Sequence, residues 1–171
     1  MRKIITSGPM EYGSMIQFRK AVKEDIPKLI KLFKETILEV YGQILPGEVL
    51  KPWVEGDRLS GDVNALWQCM IVAEKAGEIV AAAARYEDMV ALIWVHPAYH
   101  RKGIGSALLD IVETELMESG YETAKLECFS DNDLAMGFYR AQGWEALCEE
   151  RDKEAGALKT IMTKAMKKDG R

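Results

Sequence analysis

No segment of this sequence holds the ~20 consecutive apolar residues that a membrane-crossing helix requires, so a helical membrane span is excluded. Cysteine is scarce and odd in number. Cys69, Cys128 and Cys148 stand far apart, without a C-x-x-C pair. A disulfide framework and a thiolate zinc site are both disfavoured, and the expected compartment is a reducing cytoplasm. Histidine is scarcer still, at two residues. His96 and His100 are four apart, but Pro97 breaks the helical face that would align them, so no metal is expected. A basic surplus is also missing: 23 Lys and Arg face 27 Asp and Glu, for a net charge of −4. Nucleic acid is therefore not an expected partner. Residues 1–13 are polar and lack a signal-peptide hydrophobic region, so they read as a tail or lead-in. No repeat, low-complexity tract or linker divides the chain, and residues 14–168 read as one domain with enough length for a sizeable core.

What is present alternates between strand and helix patterns. Residues 15–19 read as a first strand. Asp25 is placed to cap a helix with Pro27 in its first turn, and Ile26, Leu29, Ile30, Phe33, Ile37 and Val40 repeat at helical spacing. Residues 42–64 carry Pro46, Gly47, Pro52, Gly56 and Gly61, and read as an irregular connection holding one short helix. Residues 67–74 and 79–85 flank a hairpin turn at Lys75-Ala76-Gly77-Glu78. The run Ala81-Ala82-Ala83-Ala84 favours helix by propensity, against that strand. Met89–Val95 is a continuous apolar run and reads as a strand buried on both faces, ended by Pro97. A strong helix is predicted over 103–119, with Gly120 as its C-terminal cap. Residues 125–129 read as a strand, Asp131 or Asn132 starts a further helix that Gly143 ends, and 144–150 with 158–166 form a final hairpin. The class is mixed α/β with one strand-helix-strand crossover around the 103–119 helix.

The most informative stretch is Val95-His96-Pro97-Ala98-Tyr99-His100-Arg101-Lys102-Gly103-Ile104-Gly105-Ser106. An apolar strand runs into a basic, glycine-bearing turn that opens a helix. The first N–H groups of a helix have no intrahelical partner, and the dipole makes that end positive. Two glycines permit close approach to the backbone, and Arg101 and Lys102 add charge, so the turn suits a pyrophosphate. A bare G-x-G would be an ordinary helix start; the strand before and the basic residues between make it more specific.

His100-Arg101-Lys102-Gly103-Ile104-Gly105 resembles the acyl-CoA signature Q/R-x-x-G-x-G/A of the GNAT superfamily of N-acyltransferases, with His100 in place of the first Gln or Arg. Downstream, Asn132-Asp133-Leu134-Ala135-Met136-Gly137-Phe138-Tyr139 followed by Gly143-Trp144 resembles the later motif of that family, N-x-x-A-x-x-F-Y then G-F, with Trp144 for Phe. The two motifs occur in the family's order, and the resemblance covers residues 89–166 well and the first half loosely. It implies a single GNAT-like domain: a central, mostly antiparallel twisted sheet of about six to seven strands, splayed between the fourth and fifth, with about four flanking helices. It implies acetyl-CoA as cosubstrate and an amine as acceptor, and leaves the oligomeric state open, a homodimer included.

By the same resemblance, the pantetheine arm pairs like an added strand with Ile93, Trp94 and Val95. Arg101, Lys102, Gly103, Ile104, Gly105 and Ser106 hold the pyrophosphate, and Asn132 touches the arm from the other side. Tyr139 matches the family's proton donor. A phenol with pKa near ~10 can protonate a thiolate of ~8.5 downhill, although alone Tyr139 would read as a core aromatic. Glu127 matches the proposed base of ribosomal-protein N-terminal acetyltransferases, and a surface strand carboxylate is an equal reading. Glu127 points away from Leu126 and Cys128 by strand alternation. Glu87 and Asp88 are lesser candidates, and the N–H of Val95 could serve the thioester oxygen. Cys128 reads as a core thiol rather than a nucleophile, and Trp53 and Trp67 as core rather than acceptor site.

Two further readings are weighed. The chain could hold acyl-CoA without turnover. Gly103-Ile104-Gly105 could also open a dinucleotide site, but Leu108 occupies the third glycine position and no acidic ribose partner is evident.

Overall fold

The computed structural model describes residues 3–4 and 15–167. Eight strands form one sheet: β1 (Lys3–Ile4), β2 (Gln17–Lys20), β3 (Met70–Lys75), β4 (Glu78–Tyr86), β5 (Met89–Val95), β6 (Thr123–Phe129), β7 (Glu145–Arg151) and β8 (Leu158–Ala165). Their order across the sheet is β1-β2-β3-β4-β5-β6-β8-β7. Every neighbouring pair is antiparallel except β5 with β6, the parallel pair that the crossover demands. Without the two-residue edge strand β1, the sheet has the seven strands expected, and the odd pair joins the fourth and fifth of them. Part of the segment read as a tail thus pairs at the sheet edge, Lys3 opposite Phe18.

Five helices pack on this sheet: α1 (Ile26–Val40), α2 (Gly47–Val54), α3 (Arg58–Leu66), α4 (Ile104–Glu118) and α5 (Asp133–Ala141). The connection at 42–64 holds two helices where one was expected. Pro46 precedes the first, and Pro52 sits within it, so the breakers punctuate helices rather than coil. Residues 67–69 form a turn of 3₁₀ helix, and β3 begins only at Met70. Among the described residues, no helix is long and apolar enough to cross a membrane.

The core is divided by the sheet. Leu108, Leu109, Val112 and Leu116 of α4 are fully buried against one face, and Leu29, Phe33, Leu59 and Val63 of α1 and α3 against the other. Between them lies β4, where Ala81, Ala82, Ala83 and Ala84 are 0–2% exposed. Tertiary packing overrides their helical propensity, because methyl groups on both faces let helices close in from both sides. The strand β5 departs from expectation. Of its seven residues only Val90 is buried, and Ala91 is exposed, so it is not covered on both faces.

Asp25 precedes α1, but its side chain does not cap that helix. Instead it accepts two hydrogen bonds from Arg19, at 2.7 and 2.9 Å, and one from the N–H of Val22 at 2.9 Å, while Arg19 Nε donates to Glu74 at 2.8 Å. The Arg19 guanidinium holds the Asp25 carboxyl below the usual carboxylate range. Asp25 is buried, so Asp25→Ala, which leaves the Arg19 guanidinium to Glu74 alone and takes the acceptor from the Val22 N–H, is expected to cost about 2–3 kcal/mol in chemical denaturation at pH 7. A depressed folded pKa stabilises fully above the unfolded value of ~3.9 and is lost as pH falls through the folded one. The difference between wild type and variant should therefore persist down to about pH 4 and shrink below it.

Candidate active site

The parallel pair β5 and β6 touches only at its beginning, where Met89 lies opposite Lys125. By contrast, β6 stays in register with β8 along all seven of its residues. A physical cause is visible in β5. Arg85 pairs with Val90 and Ala84 with Leu92, so Ala91 is left over as a bulge, and bulges bend and twist the strand that carries them. Beyond that point the two strands diverge around a cleft of about 990 Å³ that reaches both faces of the sheet.

Alternation decides what β5 presents to the cleft. The N–H of His96 bonds to the carbonyl of Val80 at 2.9 Å, so along this antiparallel pair the backbone of Trp94 also turns toward β4. Ile93 and Val95 therefore aim their backbone groups at the gap, and Trp94 reaches it by side chain only, which corrects the expectation of three open backbones. The Val95 carbonyl is already met by His100 Nε2 at 2.8 Å. That contact gives the unusual His100 a structural task on the turn.

The turn itself is wound tightly. Arg101 adopts φ 58° and Gly103 φ 78°, both left-handed. The first outer amide taken up by the helix is Ala107 N–H, which donates to Gly103 at 3.1 Å. The N–H groups of Ile104, Gly105 and Ser106 have no partner among the described residues, and all three residues line the cleft with Arg101 and Gly103. This is a concave cluster of donors at the positive end of a 15-residue helix. A Cβ on Gly105 would meet Phe138 Cζ at 3.5 Å and Val95 Cγ2 at 3.6 Å, ordinary contact, so space alone does not require glycine there. Lys102 does not line the cleft; its ammonium lies 5.3 Å over the ring of Tyr99.

Across the gap, Asn132 is buried and caps α5, its Oδ1 accepting from Ala135 N–H at 3.2 Å. Tyr139, about two turns further along α5, is 9% exposed and packs edge-on to Phe138, 5.2 Å between centroids. Burial, with the nearby Cys128 and Tyr41, pushes its phenol well above the ordinary range. Burial likewise raises Tyr41 to about 12 and Cys128 to about 11. The cleft thus gathers three protonated acids, Tyr41, Cys128 and Tyr139.

Glu127 also lines the cleft, on the face opposite the buried Leu126 and Cys128, as alternation requires. Its carboxylate accepts from Lys159 Nζ at 3.0 Å, and Lys159 stands 3.7 Å from Asp152. Glu127 holds the Lys159 pKa up, and backbone N–H groups of Ala155 and Glu154 hold that of Asp152 down. Glu87 and Asp88, in the β4–β5 turn, stand outside the cleft, and the Asp88 backbone carbonyl accepts from Lys125 N–H at the strand start. Trp53 and Trp67 are both partly buried against the α1–α3 core, and Trp53 also lines the cleft, which the expectation of core alone did not include. Thr36, Asp62 and Phe129, with the Trp94 side chain, complete the walls. Among the described residues, no three His, Cys, Asp or Glu side chains converge as a metal site.

A family model described as the acetyltransferase (GNAT) family matches residues 31–144. Several solved structures share the fold. A PaiA N-acetyltransferase from Thermoplasma acidophilum, in complex with coenzyme A, is 19% identical, with 88% of this chain and 98% of that one covered at TM-score 0.74. A GCN5-related N-acetyltransferase from Rhodopseudomonas palustris is 22% identical over 92% and 99% of the two chains at TM-score 0.76. The ribosomal-protein-S18-alanine N-acetyltransferase of Escherichia coli is 19% identical over 91% and 97% at TM-score 0.67.

The burial of Cys128 has a direct readout. Cys69 and Cys148 are exposed, whereas Cys128 is buried with its thiol raised to about 11. Iodoacetamide at pH 8 should alkylate Cys69 and Cys148 within minutes and leave Cys128 intact until the chain is denatured, read by peptide mass. Equal labelling of all three would refute the buried thiol.

Proposed function

The chain belongs to the acetyltransferase (GNAT) family, and from that membership we propose that it transfers acetyl from acetyl-CoA to a primary amine, by direct attack within a ternary complex in the cytoplasm. The observation that carries this reading is the cleft between β5 and β6, with unpartnered amides of Ile104, Gly105 and Ser106 at its entrance. The fold likeness to a coenzyme A complex supports it.

Acetyl-CoA brings an activated thioester; the chain's own residues would bind, orient and move protons around it. The amides of residues 103–106 and the Arg101 charge suit its pyrophosphate. Ile93 and Val95 offer the arm a strand edge, and Asn132 flanks it. The N–H of Val95 points into the gap, where it can donate to the thioester oxygen as that atom gains charge. Tyr139 stays protonated throughout the working range because burial disfavours its phenolate, and it keeps that proton available for the departing thiolate. Glu127 takes the proton of the attacking amine, directly or through water. Its pairing with Lys159 is also the one observation that favours the other reading, a chain that holds acyl-CoA without turnover.

Two variants separate these readings. Tyr139→Phe keeps the packing and removes the proton, so kcat for thiol release should fall about 100-fold while the Kd of acetyl-CoA by calorimetry stays within about twofold. Unchanged kcat removes Tyr139 from the chemistry. Gly105→Asp should weaken acetyl-CoA about 100-fold or more by setting a carboxylate against the diphosphate, whereas Gly105→Ala, which fits sterically, should lose far less. Equal affinity in Gly105→Asp and wild type would dismiss the assigned entrance.

A further inference from the structure

We infer that the half of the cleft on the α1–α3 face accepts a primary amine borne on an apolar, aromatic-sized body, an arylalkyl monoamine, and turns away amines that also carry a carboxylate. The inference rests on the reading of the chain as an amine acetyltransferase and names the acceptor.

The walls of this half are aromatic. Tyr41 stands edge-on to Phe129 at 5.7 Å and tilted to Trp94 at 6.1 Å, and Trp53 is held by the Arg58 guanidinium 4.2 Å above its ring. Such walls favour an apolar body and an ammonium approaching their faces. Hydroxyl-rich amines would leave polar groups unpaired against them. Few donors are free. Thr36 Oγ donates back to Leu32 at 2.8 Å, and Lys159 is held by Glu127 and Asp152. The helical walls α1 and α3 have their backbone groups paired internally, so they offer a peptide main chain nothing to bind.

Charge completes the discrimination. Asp62, Glu127 and Asp152 against Lys159 leave this half at a formal −2, and Asp62 has no ion-pair or hydrogen-bond partner among the described residues. A cationic amine is drawn in, and a substrate carboxylate is repelled.

The matched pair phenethylamine and phenylalanine differs by that one carboxylate. With the intact chain and saturating acetyl-CoA, thiol release should give phenethylamine a kcat/KM about tenfold or more above phenylalanine, and similarly above ethanolamine. Asp62→Asn alters an exposed side chain and should narrow the phenethylamine-to-phenylalanine ratio several-fold. Phenylalanine, ethanolamine or an alanine-led tetrapeptide serving as well as phenethylamine would overturn the assigned acceptor and leave amine acetylation standing. An unchanged ratio in Asp62→Asn would overturn the role of charge. Bound acetyl-CoA with no thiol release for any amine would overturn the reading beneath it.

Discussion

The cleft on which the proposed function rests depends on two neighbouring strands that meet once and then part. A sheet normally satisfies its backbone through its neighbours, and a buried strand edge without partners is costly. Here the bulge at Ala91 turns β5 away from β6 just after Met89 and Lys125 pair. The remaining length of β5 still bonds to β4 on its other side, so the sheet holds together while one edge stays open. The same turn of the chain carries β5 into the left-handed residues Arg101 and Gly103 and the free amides of α4. Strand edge and helix entrance are thus parts of one feature rather than two sites brought together.

Much of this was legible in the sequence, and for definite reasons. The glycine turn before 104 and the Asn132-to-Tyr139 motif are local: each needs its own residues at fixed spacing, and the structure has α4 and α5 starting within two residues of where the pattern predicts. The strand positions after residue 70 were likewise carried by apolar runs and the turn residues between them. Three errors share one cause, that burial is decided by partners the sequence does not mark. An apolar run at Met89–Val95 looks like a doubly covered strand, and it is apolar because it borders a cleft. Four alanines look helical, and they are small because helices press on both faces of β4. Asp25 looks like a cap, and Arg19, six residues earlier, takes its carboxylate instead. The acceptor walls were legible only as segments, residues 41–64 and the 152–156 hairpin; which side chains face the cleft was not, since Thr36, Asp62, Trp94 and Phe129 come from separate elements and form no pattern in one dimension.

The cleft also has a division of labour set by charge and dielectric. On the α4–α5 side, helix-end amides and Arg101 provide the positive potential, and Tyr139 and Cys128 are kept neutral by burial. On the α1–α3 side, carboxylates outnumber the single ammonium of Lys159. An anionic group and a cationic group entering from the two faces would each meet the opposite sign and be drawn toward the same neck, the place where the strands separate.

The hydrogen bond from His100 to the Val95 carbonyl bears on a different hazard. A sheet with a permanently open seam is a template for foreign strands, and invasion there would be the first step to aggregation. By occupying one acceptor at the seam's mouth, the imidazole interrupts the ladder that an intruding chain would need, while leaving the N–H groups beside it free. The seam therefore offers an intruding strand one acceptor fewer at its mouth.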